Sequence, residues 1–220
     1  MGYASEYEAK EKIIETGKRL YARGLVSGNE GNVSIRVGDN EVWCTPTYES
    51  KGYLNKDMLV KLDLDGNVLS DNGYEPSSEV KMHLGIYKEH PGIQTVIHAH
   101  PLMATAYACS REKVPTCYHP EVIAVLGKEI LNIPFGMPGT TELPDHVRQY
   151  VKGNRVALLQ NHGALSWAES MKEAYFNMET LENYCKLYTM VTKVVGNGTT
   201  VPEYAYKELF KYYEEIDMDI

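Results

Sequence analysis

The chain has 220 residues, of which 43% are hydrophobic and 24% charged, with a mean hydropathy of −0.37. These are the proportions of a soluble globular protein, and no apolar run approaches the roughly 18 residues of a membrane span. A net charge of −8, from 22 Lys and Arg against 30 Asp and Glu, excludes the basic face on which nucleic-acid binding depends.

The first six residues carry neither a basic cluster nor an apolar signal region. The expectation is a cytoplasmic protein of one domain over residues 1–220, with no membrane or nucleic-acid partner. Cys44, Cys109, Cys117 and Cys185 lack the spacing of a zinc knuckle or redox pair and read as reduced thiols.

In chain order, residues 5–23 read as a helix. Ile13, Gly17, Leu20 and Gly24 trace one stripe, Ser5 is the N-cap and Gly24 the stop. A Gly/Asn-rich loop at 27–31 follows. Residues 32–37 then alternate as a strand, and Val42-Trp43-Cys44 pair with them across Gly38-Asp39-Asn40. A third strand is predicted over 58–64 and a helix over 78–90, capped by Ser77 or Ser78. Residues 93–98 form an apolar strand. Helices are predicted at 102–110 and 121–126, a strand at 155–160, and helices at 170–195 and 202–213. Residues 214–220 read as a solvated tail. Strands mixed with crossing helices predict an α/β domain, one sheet flanked by helices.

Three histidines stand out. His98 and His100 are two apart at a strand end, so they share a face. His162 follows a second apolar strand, with Gly163 permitting a sharp turn. Three neutral nitrogens with an open fourth position suit a catalytic zinc ion. The alternative is a strand-end pair bonded to nearby carbonyls. His83 lies four residues after Glu79 on one helix side, as a partner of the site or as a packed histidine. His90, His119 and His146 read as surface or loop residues.

Glu79 sits at a helix start, either compensating the helix dipole or acting as a general base. The free N–H groups of that start, with Ser77 and Ser78, make an anion site to which Asn32, Ser34, Thr45 and Thr47 can add donors. There is no phosphate-binding P-loop, no dinucleotide fingerprint and no G-x-S-x-G elbow.

Taken in order, Gly31-Asn32-Val33-Ser34, Thr45-Pro46-Thr47, Pro76-Ser77-Ser78-Glu79, His98-Ala99-His100-Pro101 and Asn161-His162-Gly163 resemble the class II aldolase and adducin-head superfamily, in particular zinc aldolases of the fuculose-phosphate type. The resemblance runs over about residues 6–195. It implies a three-layer α/β/α sandwich with a mainly antiparallel sheet, and a homotetramer with active sites at subunit interfaces. It implies zinc, or another divalent metal, on His98, His100 and His162, with Glu79 as the acid/base group. It implies a substrate phosphate among Asn32, Thr47, Ser77 and Ser78. The implied reaction cleaves a ketose 1-phosphate to dihydroxyacetone phosphate and a short aldehyde. The alternatives are a sugar-phosphate 4-epimerase or dehydratase, or a non-catalytic adducin-like module. Glutamate at position 79 favours the aldolase, since the epimerases carry aspartate there.

The chain departs from that pattern at three places. Tyr48 and Glu49 follow the Thr-Pro-Thr segment, where relatives carry glycine. A tyrosine lacks glycine's backbone freedom, and a carboxylate near a phosphate is repelled. Glu121 stands where some relatives have tyrosine, and Tyr204, Tyr206, Tyr212 and Tyr213 compete for a C-terminal proton-donor role.

Overall fold

The structure, a computed structural model, describes residues 2–137 and 139–218, with side chains through residue 214. Helix α1 (Glu6–Ala22) starts at Ser5, which forms a capping box with Glu8. The expected stripe of Ile13, Gly17 and Leu20 is buried.

Strands β1 (Asn32–Gly38) and β2 (Glu41–Cys44) form the expected hairpin. Strand β3 (Val60–Leu62) is shorter than the 58–64 segment, because Lys56–Met58 make a 3₁₀ turn capped by Asn55. Helix α2 (Val80–Glu89) begins later than predicted. Neither Ser77 nor Ser78 is its N-cap: Glu79 holds that position and makes no side-chain cap bond. A turn intervenes, in which the Ser77 carbonyl accepts from the Val80 N–H at 3.0 Å.

Strand β4 (Thr95–Ala99) and helix α3 (Leu102–Ala108) follow as expected. Next come β5 (Val114–Pro115), α4 (Pro120–Leu126), β6 (Glu129–Ile130), β7 (Asn132–Ile133) and α5 (Glu142–Arg148). Of these, only α4 was predicted, and Pro120 at its first position sets its start. Strand β8 (Val156–Leu159) is followed by β9 (Gly163–Ala168), then α6 (Met171–Thr189), a π-helical turn (Met190–Val195) and α7 (Glu203–Met218). The segment expected as a solvated tail is helical backbone through Met218, and residues 219 and 220 lie outside the described residues.

The sheet order is β3-β2-β1-β4-β9-β8-β7, with every neighbouring pair antiparallel except β7–β8. Alternation along the strands builds two cores. Val33, Ile35, Trp43, Ile97, Leu158 and Ala164 pack under α1, α3, α4 and α6. Val42, Val96, Ala157, Leu159, Leu165 and Trp167 pack under α2 and α5. The result is a three-layer α/β/α sandwich with a mainly antiparallel sheet, as the resemblance implied. All four cysteines are free. Among the described residues no helix is long and apolar enough to cross a membrane.

Candidate metal and acid–base centre

The site forms where three strand ends meet the start of α2. Asn32 opens β1 directly opposite His98 near the end of β4. Ile97 and Ala99 point into the α1–α6 core, so His98 faces the α2 side, and His100, one residue past the strand, shares that parity. Strand β9 pairs with both β4 and β8. The β8–β9 turn therefore delivers His162 beside the end of β4. Asn161 makes this turn in the left-handed conformation, at φ 56°. Gly163 has a different task from the sharp turn expected of it: a Cβ there would lie 2.5 Å from the ring of His100. Gly31 has φ 74°, and a Cβ on it would lie 2.8 Å from the His98 carbonyl oxygen. Only glycine lets the loop press against β4 at that point.

The three imidazoles lie with ring centroids 4.7–5.1 Å apart, and one ligand nitrogen from each falls within 4.8 Å of the others. Nδ1 of His98 is 2.9 Å from the Ala164 carbonyl oxygen, and Nδ1 of His100 is 3.1 Å from Glu30 Oε2. Both partners only accept, so each Nδ1 carries the proton and each Nε2 presents a lone pair. Those two Nε2 atoms are 3.0 Å apart. Two lone pairs facing each other at that distance repel, and a cation between them turns the repulsion into coordination. The donor set thus fits a divalent metal.

Burial pushes His98 down to about 3, with the Glu79 carboxylate opposing and the neighbouring imidazoles reinforcing the shift. His100 is lowered for the same first reason. Burial alone would raise the Glu79 carboxyl, but the imidazoles of His98, His162 and His100 outweigh it and hold the acid well below the usual carboxylate range. Glu79 Oε1 lies 2.8 Å from His162 Nε2, and Oε2 lies 3.3 Å from His98 Nε2. Asn32 Nδ2 donates to Glu79 Oε2 at 3.0 Å and to Ser77 Oγ at 3.2 Å.

The anion-site candidates divide. A bridge between Pro46 and Pro76, with the Thr47 N–H donating to the Glu75 carbonyl oxygen at 2.9 Å, brings Thr47 beside Ser77. Ser78 is exposed at the start of α2. Thr45 is fully buried, and its hydroxyl accepts from the Val33 N–H. Ser34 is also buried, held between His83 Nδ1 and Tyr87 Oη at 2.7 Å each. Neither hydroxyl is available to an anion. Tyr48 takes a left-handed backbone, at φ 60°, with its side chain exposed. That geometry costs a bulky residue roughly 1–2 kcal/mol.

Glu30 was missed by the sequence reading. Ser27 fixes it, donating from both N–H and Oγ to Glu30 Oε1 at 2.7 and 2.9 Å. The Ser27-x-x-Glu30 spacing, that of a capping box, was the available signal. Tyr213 packs elsewhere, donating to the Gly153 carbonyl oxygen. Tyr204 and Tyr212 are exposed. His90 and His119 are half-buried loop residues flanking helices, as expected, and His146 is half-buried within α5.

His83 is the packed histidine of the two readings, fully buried beneath Glu79 and lowered to about 3 by burial. Its folded value lies below its unfolded value of about 6.5. The unfolded chain therefore binds the extra proton first, and the stability His83 provides is present above pH 6.5 and lost as pH falls toward 3. Each such proton contributes a slope of about 1.4 kcal/mol per pH unit. Denaturant titrations at pH 7 and pH 5 are expected to show a smaller acid loss in His83→Gln than in the wild type. An equal loss would contradict this role for His83.

Residues 11–189 match the Class II Aldolase and Adducin N-terminal domain family, and the chain belongs to that family. It is 33% identical to a 3-oxo-tetronate 4-phosphate decarboxylase of Haemophilus influenzae, over 81% of this chain and 86% of that one. It is 34% identical to an L-fuculose phosphate aldolase of Methanococcus maripaludis, over 80% and 93%. A solved L-fuculose 1-phosphate aldolase superposes with a TM-score of 0.86 at 31% identity, covering 96% of this chain and 98% of that one.

Proposed function

We propose that the chain is a zinc-dependent carbon–carbon lyase that cleaves a ketose 1-phosphate into dihydroxyacetone phosphate and a short aldehyde. The observation that carries this reading is the position of Glu79. One carboxylate lies against His98 and His162 and is joined through Asn32 to Ser77, so acid/base group, metal ligands and anion donors form one cluster.

A divalent cation on His98, His100 and His162 supplies Lewis-acid stabilisation of the negative charge that grows on the substrate's carbonyl oxygen. Asn32, Thr47, Ser77 and Ser78 hold the phosphate. Glu79 delivers a proton to the carbon left by the broken bond, and removes it in the condensation direction. The hydroxyl that becomes the aldehyde loses a proton, so the proton count balances. The reading includes a homotetramer with sites at subunit interfaces. It also includes a cytoplasmic setting, which the free thiols favour.

A second reading is supported by the Haemophilus influenzae relative. Loss of carbon dioxide from a 3-oxo acid 4-phosphate breaks an equivalent bond and leaves the same triose fragment. A panel of ketose 1-phosphates and 3-oxo-tetronate 4-phosphate, with and without chelator, separates the two. Chelator-sensitive triose phosphate with an aldehyde is the expected result. Carbon dioxide instead would establish the decarboxylase, and no triose phosphate would overturn both.

Glu30 orients His100 in this scheme. Glu30→Gln is expected to weaken metal binding by about 10–100-fold, read by competition with a chromogenic chelator. Unchanged affinity would remove Glu30 from the account.

A further inference from the structure

The most unusual ionisable group outside the cluster is Lys51, whose side chain is almost completely buried at 1% exposure. Its Nζ donates to the Asn29 carbonyl oxygen at 2.8 Å and to the Glu49 carbonyl oxygen. Asn29 belongs to the loop that leads through Glu30 and Gly31 into Asn32. Glu49 follows Thr47 and the strained Tyr48. On the other side, the Lys51 backbone presses on α1, where a Cβ at Gly17 would sit 2.7 Å from the Lys51 carbonyl oxygen.

We propose that Lys51 is the positioning residue of the anion cradle: its ammonium ties the Asn32 loop to the Thr47 loop and fixes the distance between the two walls that take a substrate phosphate. This rests on the phosphate-binding reading above.

Two carbonyl acceptors alone would be served by a neutral amide, and burying a charge is unfavourable unless the site uses it. Here the charge has partners. Glu49, Glu30 and Glu79 are the carboxylates that oppose the effect of burial, which pushes Lys51 down to about 8, so it remains an ammonium at neutral pH. Glu30 and Glu79 together present negative charge toward an incoming dianion, and Lys51 offsets it. The bond to the Glu49 carbonyl also closes the turn just after Tyr48, holding a bulky residue in a conformation that glycine adopts without strain.

The test is calorimetric binding of inorganic phosphate to the metal-loaded protein, with metal content measured on the same samples. Lys51→Met is expected to raise the phosphate Kd by about tenfold or more, with one metal retained per chain. Adding Tyr48→Gly is expected to recover part of the loss. With a phosphorylated substrate the change falls on KM, with kcat within about threefold. If Lys51→Met is insoluble, Lys51→Leu, which likewise removes both the donors and the charge, is read by the same criteria. An unchanged phosphate Kd would overturn the proposal alone. So would loss of metal together with phosphate, which would make Lys51 a general structural pin. A wild type that binds no phosphate would overturn the cradle reading and, with it, this proposal.

Discussion

Replacing His98 with alanine is expected to strip the protein of its metal and to lower turnover by at least about a thousandfold, the equivalent of several kcal/mol of lost charge stabilisation. His98 is the most deeply set of the three imidazoles, with no exposed surface and its Nδ1 fixed on the Ala164 carbonyl. Two imidazoles remain, and the Glu79 carboxylate beside them offers oxygen rather than a third neutral nitrogen. The substitution also removes a buried imidazole and its bond to the Ala164 carbonyl, at about 1–3 kcal/mol, so far-ultraviolet circular dichroism must first show a folded protein. Elemental analysis after gel filtration then reads the metal. A folded His98→Ala protein that keeps equimolar metal, or turns over within tenfold of wild type, would contradict the assignment.

The second large effect is at Glu79. Glu79→Gln keeps the shape and an acceptor for Asn32 Nδ2, but it removes the charge and the capacity to carry a proton. General acid–base catalysis is worth about 10²–10⁴-fold, and kcat is expected to fall by that amount. KM moves little, since the phosphate donors are untouched. Metal content is expected to stay near one per chain, which separates proton transfer from metal binding. A kcat within about fivefold of wild type would return Glu79 to the alternative of helix-dipole compensation.

The layers of the fold were legible because α1, β1, β2, β4 and β8 carry clear periodicity and caps. The pairing of His98 with His100 followed from strand parity alone. What brings His162 to them was not legible. It depends on β9 lying between β4 and β8, and β9 is a six-residue strand with Gly163, Ala164 and Ala168 in it, residues with poor strand propensity. The strands β5, β6 and β7 have two residues each, too few for any period to register.

Polar residues were harder to read than strands. Ser34 shares the face of Asn32 but lies two residues deeper, under α2, where His83 and Tyr87 engage it. Thr45 looks like Thr47 in sequence, yet it extends the β1–β2 pairing and is sealed. Glu30 and Lys51 were invisible for a common reason. Charged residues in loops are solvated by default, and the partner that defines Glu30 lies 70 positions away. At Tyr48 the expectation was that a tyrosine lacks glycine's backbone freedom. It nonetheless takes a left-handed geometry, and the strain is borne locally.

The account centres on Glu79 moving a proton at a carbon beside a carbonyl within a metal-dependent site. The most direct test is to incubate dihydroxyacetone phosphate with the metal-loaded protein in deuterium oxide and follow its hydroxymethyl protons by NMR. The expected result is exchange of one proton that stops on adding chelator and falls to background in Glu79→Gln. No exchange with the wild type, or equal exchange in wild type and Glu79→Gln, would contradict it.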